Sequence, residues 1–151
     1  MSEEKQNNSI LALMINHHAL LEALFFVAKD EIKSNTEHSK KSLSSFRLEY
    51  EKHMFAEENI IFDFLRWKHP KVYQMTLHLT DEHSAIRHLL GKVELELPRY
   101  SENDIVTLQS LLSGHRKDEE EHLYPVVDKE LLESQKQQII NRINEVAPRN
   151  A

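Results

Sequence analysis

The chain has 151 residues, of which 40% are hydrophobic and 29% charged, with only two glycines and four prolines. This composition is typical of a soluble, largely helical protein and leaves too few turn formers for a many-stranded sheet, so we expect one domain over residues 1–151. A formal net charge of -6 without a Lys/Arg block argues against nucleic acid as a partner, and the absence of cysteine excludes disulfides, thiolate ligands and iron–sulfur clusters.

The N-terminal sequence does not have the basic, apolar and small-residue plan of a signal peptide. The apolar stretch 19–28 is interrupted by Glu22 and is too short to cross a bilayer. We therefore expect a cytoplasmic protein without a membrane partner.

The first half of the chain shows two apolar stripes at helical spacing. The first predicts a long helix over about 9–32, followed by a polar break at 34–36. The second begins near Lys40 and runs to His69-Pro70, where the residue before proline avoids the helical region. The spacing predicts two long helices joined by a short connection.

The second half repeats this plan. Pro70 suits the first turn of a third helix, which ends near Pro98, and Ser101 is a good N-cap for a fourth helix that Pro125 should bend near its end. A last helix is predicted over about 131–146. The sequence therefore predicts an all-α fold: an up-down-up-down four-helix bundle with a core of about 9–128 and a short extra C-terminal helix.

One motif occurs twice. His53 is followed four residues later by Glu57, and His115 is followed four residues later by Glu119. In both copies a second Glu comes next, and an apolar pair lies eight and nine residues past the His. Positions four apart stack on one face of a helix, so each copy aims one imidazole and one carboxylate at the same point. A mixed nitrogen and oxygen set suits iron, manganese or zinc.

The other two helices each carry a lone His in the apolar stripe, His18 and His83, with apolar residues three, six and seven positions later. In an up-down bundle, residues equidistant from a turn lie at the same height, and the predicted turns fall midway between successive motifs. Six residues are therefore expected in one layer: His18, His53, Glu57, His83, His115 and Glu119.

Two histidines leave alternatives open. His17 competes with His18, since periodicity barely separates them; the internal repeat favours His18, whereas Glu22 near the His18 face favours His17. His122 lies one turn beyond Glu119 on the same stripe. The pattern is consistent with four roles for His122: a hydrogen-bond partner of a ligand, a proton relay, an extra ligand, or a half-buried residue at the bundle end.

These motifs resemble the hemerythrin-like, or HHE cation-binding, family over about 11–127. The resemblance maps the family's lone His motifs onto His18 and His83, and its two His-x-x-x-Glu motifs onto His53/Glu57 and His115/Glu119. It implies a non-haem centre of two iron ions, with the His as terminal ligands and the Glu as bridges.

The chain departs from the oxygen-carrying hemerythrins at two positions. They have a second His four residues after the helix-three His and an Asp five residues after the helix-four His, where this chain has Arg87 and Glu120. It looks more like the four-His, two-Glu branch, which is associated with iron handling, oxygen or nitric oxide sensing and repair. The family's frequent Pro in helix two is Asp63 here, whereas helix four keeps Pro125.

The function we expect from the resemblance is a di-iron protein that binds or senses O2, NO or peroxide or handles iron, rather than a turnover enzyme, with zinc or manganese as possible substitutes. One alternative is a ferritin-like di-iron oxidase or iron-repair enzyme, although that class needs two Glu-x-x-His motifs and this chain has one, at Glu119 and His122. The other alternative is a helical interaction module with a structural metal site.

Overall fold

A computed structural model describes residues 9–146, which form five main helices, a short helix at Pro70–Tyr73 followed by a 3-10 turn at Gln74–Thr76, and no strand. This confirms the predicted all-α fold, a four-helix bundle with an additional C-terminal helix. Helices α2 and α4 each change from α to π geometry and back. The bounds of the five helices are α1 Ile10–Lys33; α2 Ser39–Ala56, continuing through the π-helical Glu57–Phe62 into Asp63–Lys68; α3 Leu77–Glu96; α4 Glu102–Asp118, continuing through the π-helical Glu119–Leu123 into Tyr124–Glu130; and α5 Glu133–Val146.

The helix ends follow local sequence chemistry. The Ser9 hydroxyl accepts a hydrogen bond from the Ala12 amide at 3.0 Å, and the Ser101 hydroxyl accepts one from the Asp104 amide at 3.3 Å, so both serines cap helices. Asn35 has a positive φ of 53° in the α1–α2 turn. Pro70 opens a separate short helix, Pro70–Tyr73, ahead of α3 rather than the first turn of α3 itself.

Two apolar clusters lie above and below the polar layer. Along α1, Met14 belongs to the lower cluster and Leu21 to the upper one, so that His18 lies between them. The apolar side of α5 completes the lower cluster with Ile139 and Ile143. The polar layer is thus enclosed by hydrocarbon on both sides, where its groups need partners or a bound ion.

Helix α1 is apolar around most of its circumference. It is long and apolar enough, by length and composition, to cross a membrane, and 28% of its most apolar window is buried in the protein. Its inward face packs in the bundle, whereas Leu20, Phe26 and Val27 are exposed. A core helix of a bundle passes the same test, and the absence of a membrane partner stays a prediction.

Candidate metal centre

All six residues singled out by the repeat lie in one buried layer. Each of the four His is at most 5% exposed, and Glu57 and Glu119 are both 0% exposed. The layer receives one His from each of α1 and α3 and a His/Glu pair from each of α2 and α4. The structure therefore brings together every residue that the sequence nominated.

The six residues form two groups that share both carboxylates. One group contains His18 and His53, the other contains His83 and His115, and each includes Glu57 and Glu119. Within each group one donor atom per residue lies within 4.8 Å of all the others. Two cations held in the two groups would be bridged by the same pair of carboxylates.

Both π-helical turns begin at these glutamates, at Glu57 and Glu119. Residues spaced by four drift around an α-helix of 3.6 residues per turn, and a wider turn offsets that drift. The residues eight and twelve positions past each His consequently stay on the buried face: Ile61, Leu65, Leu123 and Val127. Helix α2 makes this turn with Asp63 where α4 has Pro125, so proline is not required for it.

The widened turn corrects the placement of His122. An uninterrupted α-helix would put His122 on the stripe of Glu119, but its side chain is exposed and belongs to neither group. Sequence periodicity failed here because it assumed 3.6 residues per turn throughout.

His17 and His18 occupy different positions relative to the layer. His18 lies in the layer, with Nε2 3.1 Å from Glu119 Oε1. His17 is half-buried outside both groups, and its ring centroid lies 5.9 Å from that of His53. Burial and the neighbouring His53 lower the pKa of His17 to about 4, so this side chain is neutral at pH 7.

Three of the four imidazoles are held from outside by a carboxylate. Their Nδ1 atoms lie at hydrogen-bond distance from an acidic oxygen that sequence analysis did not assign: His18 to Glu120 at 2.7 Å, His83 to Glu58 at 2.5 Å, and His115 to Glu82 at 2.7 Å. Such contacts fix the ring orientation and direct Nε2 inward. The available signal was the second Glu of each motif and the Glu directly before His83.

The layer is strongly coupled electrostatically. Burial opposes protonation of His83 and His115, but hydrogen bonds from His83 to Glu57 and Glu58 raise its pKa to about 9, and the Glu119 carboxylate raises the pKa of His115 to about 11. Burial likewise opposes ionisation of Glu57, yet the surrounding His side chains hold its pKa well below the usual range. Protons therefore occupy the centre without metal, and a bound cation would displace them.

Several buried nitrogen and oxygen atoms have no hydrogen-bond partner, and they are of the kind that coordinates a cation. These atoms are both ring nitrogens of His53, Nε2 of His115 and both carboxylate oxygens of Glu119. His115 Nε2 lies 2.9 Å from Glu119 Oε2 without hydrogen-bond geometry, so both atoms are placed to contact the same cation. Each unsatisfied group costs about 1–3 kcal/mol, which metal coordination would remove. Imidazole with carboxylate suits iron, manganese or zinc.

Two aromatic side chains complete the walls of the centre. The Tyr124 hydroxyl donates a hydrogen bond to Glu57 Oε2, which orients that carboxylate. The Phe62 ring lies parallel to the His83 imidazole, with centroids 6.2 Å apart. Both side chains are buried, so they close this side of the second group.

A cavity of about 610 Å³ opens from the surface between α1 and α4 and reaches the centre. His18 of the first group and His115 of the second both line it, together with Tyr50 and Phe46. A small molecule entering here would meet both groups.

Comparison with known proteins gave one match. The family described as Hemerythrin HHE cation binding domain matches residues 9–127. Neither the comparison with curated proteins nor the comparison with solved structures gave a match.

Proposed function

Because the chain belongs to the hemerythrin HHE cation-binding domain family, we propose that its buried layer holds two iron ions and binds a small oxidant or gas. The observation that carries this proposal is the pair of His/Glu groups that share both glutamates. Two separate mononuclear sites would not need shared carboxylates.

In the proposed centre, His18 and His53 are terminal ligands of one ion, and His83 and His115 are terminal ligands of the other. Glu57 and Glu119 bridge the pair, which matches their complete burial and their place in both groups. The partnerless atoms of His53, His115 and Glu119 support this assignment, since coordination satisfies them.

Two imidazoles and two shared carboxylates would hold each ion with fewer than six protein donor groups. We propose that O2, NO or peroxide binds there after passing through the cavity between α1 and α4, which reaches His18 and His115. Bound iron would supply the redox chemistry, while the protein excludes bulk water and orients the imidazoles. The proposed role is sensing, ligand binding or iron handling in the cytoplasm rather than catalytic turnover.

Arg87 occupies the position at which oxygen-carrying hemerythrins have a further His. Its Nε donates to Glu51 at 2.7 Å, and its terminal nitrogens lie 3.4 Å from the Glu58 oxygens. Glu58 in turn contacts His83 Nδ1. Through Glu58, Arg87 therefore helps to orient the proposed ligand His83. Its presence where a fifth His would lie favours a centre with four His.

The competing functions receive less support. A ferritin-like site would need His122 beside the metal, and this side chain is exposed. A purely structural His/Glu layer would leave at least five buried donor atoms without partners. Zinc and manganese accept the same ligands, and metal analysis distinguishes them from iron.

The test is reconstitution with ferrous iron without oxygen, followed by metal analysis and visible spectra before and after exposure to air and to NO. We expect about two irons per chain and a new absorption band on each exposure. A matched His53→Ala/His115→Ala variant should lose both iron and the bands. A protein that takes up no iron and melts at the same temperature with and without chelator would contradict the proposal.

A further inference from the structure

The cavity between α1 and α4 is far larger than a diatomic ligand requires. Its volume is about 610 Å³, whereas one water occupies ~30 Å³ of liquid. Pockets for organic ligands span roughly 300–1,000 Å³. We name this cavity the α1–α4 cleft, and its size accommodates an occupant with a carbon skeleton.

The cleft is built into the packing of the bundle. Helix α1 packs against the lower part of α4, Glu119–Leu123 and Tyr124–Glu130. Higher up, the cleft is lined in part by small side chains, Ala19 and Ala23 on α1 and Ser113 on α4, alongside larger ones. Small residues on both helices keep the space open.

An aromatic wall leads through the cleft to the metal centre. The ring centroids of Phe25 and Phe46 are 5.2 Å apart, those of Phe46 and Tyr50 are 5.5 Å apart, and those of Tyr50 and His53 are 5.9 Å apart. Leu112 faces the same space from α4. Such a surface favours an alkyl or aryl group.

The inner end of the cleft presents a polar donor without a partner. Tyr50 is 5% exposed and lines the cleft, and its hydroxyl has no hydrogen-bond partner among residues 9–146. By contrast, the Tyr124 hydroxyl is occupied by Glu57. The Tyr50 hydroxyl can therefore donate a hydrogen bond to a molecule that occupies the cleft.

The charges at the mouth suit an anion as well. Lys29 and Arg116 line the cleft on opposite helices. Lys29 Nζ donates to Gln109 across the cleft at 2.9 Å, and Arg116 Nε lies 2.9 Å from Glu22, so both cations already point across the opening. Glu22 lines the same mouth, so two cations stand against one carboxylate among its Lys, Arg and Glu side chains, and this balance favours an anion over a cation.

We propose that the α1–α4 cleft binds a small organic monocarboxylate with an apolar body. The body lies along Phe25, Phe46 and Leu112, and the carboxylate accepts a hydrogen bond from Tyr50 at the metal end of the cleft. This inference rests on the proposed function for the metal and goes beyond it by naming an organic ligand class.

The test is calorimetric titration of zinc-loaded protein with octanoate, acetate and octanol, after the metal content of each sample has been measured. Octanoate should bind, and both acetate and octanol should bind at least about tenfold more weakly, because one lacks the body and the other lacks the charge. Tyr50→Phe should weaken octanoate binding by about tenfold.

Two tryptophan variants separate the cleft from general effects. Ala23→Trp fills the cleft at an exposed position and should abolish octanoate binding while leaving two metals per chain. Ala85→Trp, on the exposed side of α3, should change neither. Equal octanoate affinity in wild type and Ala23→Trp, or no affinity in fully metal-loaded wild type, would overturn the proposal.

The same titration is repeated on metal-free protein, so that failure of metal binding and failure of the cleft are distinguishable. The aromatic wall and Tyr50 persist there, and we expect weaker binding of octanoate that Ala23→Trp still removes. Metal-free protein that does not bind octanoate, or binds it irrespective of Ala23→Trp, would also overturn the cleft proposal.

Discussion

The two halves of the centre use the same ligand pattern but support it differently. In the half formed by His83 and His115, both Nδ1 atoms contact carboxylates, those of Glu58 and Glu82. In the half formed by His18 and His53, only His18 has such a partner, Glu120. Neither ring nitrogen of His53 has a hydrogen-bond partner.

The difference follows from one substitution in the internal repeat. Glu82 directly precedes His83, and the corresponding residue before His18 is His17, whose ring lies 5.9 Å from that of His53. A neutral imidazole has replaced a carboxylate at this position. The six inner His and Glu residues thus follow the internal repeat, but the carboxylates that contact the His Nδ1 atoms do not. We therefore expect the second half, formed by His83 and His115, to bind its metal more tightly.

Two further replacements distinguish the halves. Tyr124 donates to Glu57, whereas the equivalent position in α2 is the apolar Phe62. Tyr50, three residues before His53, faces the α1–α4 cleft where α4 has Leu112. Tyr50, the polar group that faces the cleft, thus lies at the less supported half, next to His53.

The largest effect should come from removing one inner ligand from each half. His53→Ala/His115→Ala should lose both metals, and chelator should no longer change its melting temperature, because each position loses half of its imidazoles. Mass spectrometry of bound metal and thermal melts measure this. His38→Ala/His88→Ala, at two exposed positions, should behave as wild type; equal metal loss in this control would contradict the assignment.

Removing an outer support should weaken only its own half. Glu82→Ala should lower the affinity of the second position by about 10–100-fold, since outer partners of ligating histidines typically have this effect. Competition with a chromophoric chelator measures the two affinities separately. Asp81→Ala is the matched control on the same turn, and a loss as large in Asp81→Ala would count against the role of the Glu82 contact.

Adding the missing support should strengthen the first half. His17→Glu places a carboxylate opposite His53 as Glu82 lies opposite His115, and we expect about a tenfold gain in affinity at the first position. His17→Gln, which adds no charge, should give little or no gain. Unchanged affinity in His17→Glu would show that the asymmetry of the halves has another cause.

The smallest effect concerns orientation of a bridge. Tyr124→Phe leaves the Glu57 oxygen without its buried donor and should destabilise the metal-free protein by about 1–3 kcal/mol. The metal-loaded protein should lose less, because metal also orients Glu57. Denaturant melts with and without metal measure both values; Tyr73→Phe, at a half-buried tyrosine packed against the lower apolar cluster, is the control.

Much of this architecture could be predicted from sequence because it depends on short-range rules. Apolar periodicity placed the helices, Ser9 and Ser101 were readable as caps, and the repeated His-x-x-x-Glu nominated the residues that the structure brings together. These features depend on spacing within one helix or on symmetry between helices.

The remaining features depend on contacts that spacing does not encode. The π turn that begins at Glu119 rotated His122 out of the layer, which a constant helical period cannot show. The contact between Glu82 and His115 joins two helices through an Nδ1 atom, and the cleft is lined in part by small side chains on two helices, α1 and α4. Such features appear only once the helices are packed.

The central claim is that two cations share Glu57 and Glu119, and anomalous diffraction from metal-loaded crystals tests it most directly. We expect two peaks, one beside His18 and His53 and the other beside His83 and His115, with both glutamates between them. In partly loaded crystals the peak beside His83 and His115 should be the stronger. A single peak, or two peaks that do not share the glutamates, would contradict the account.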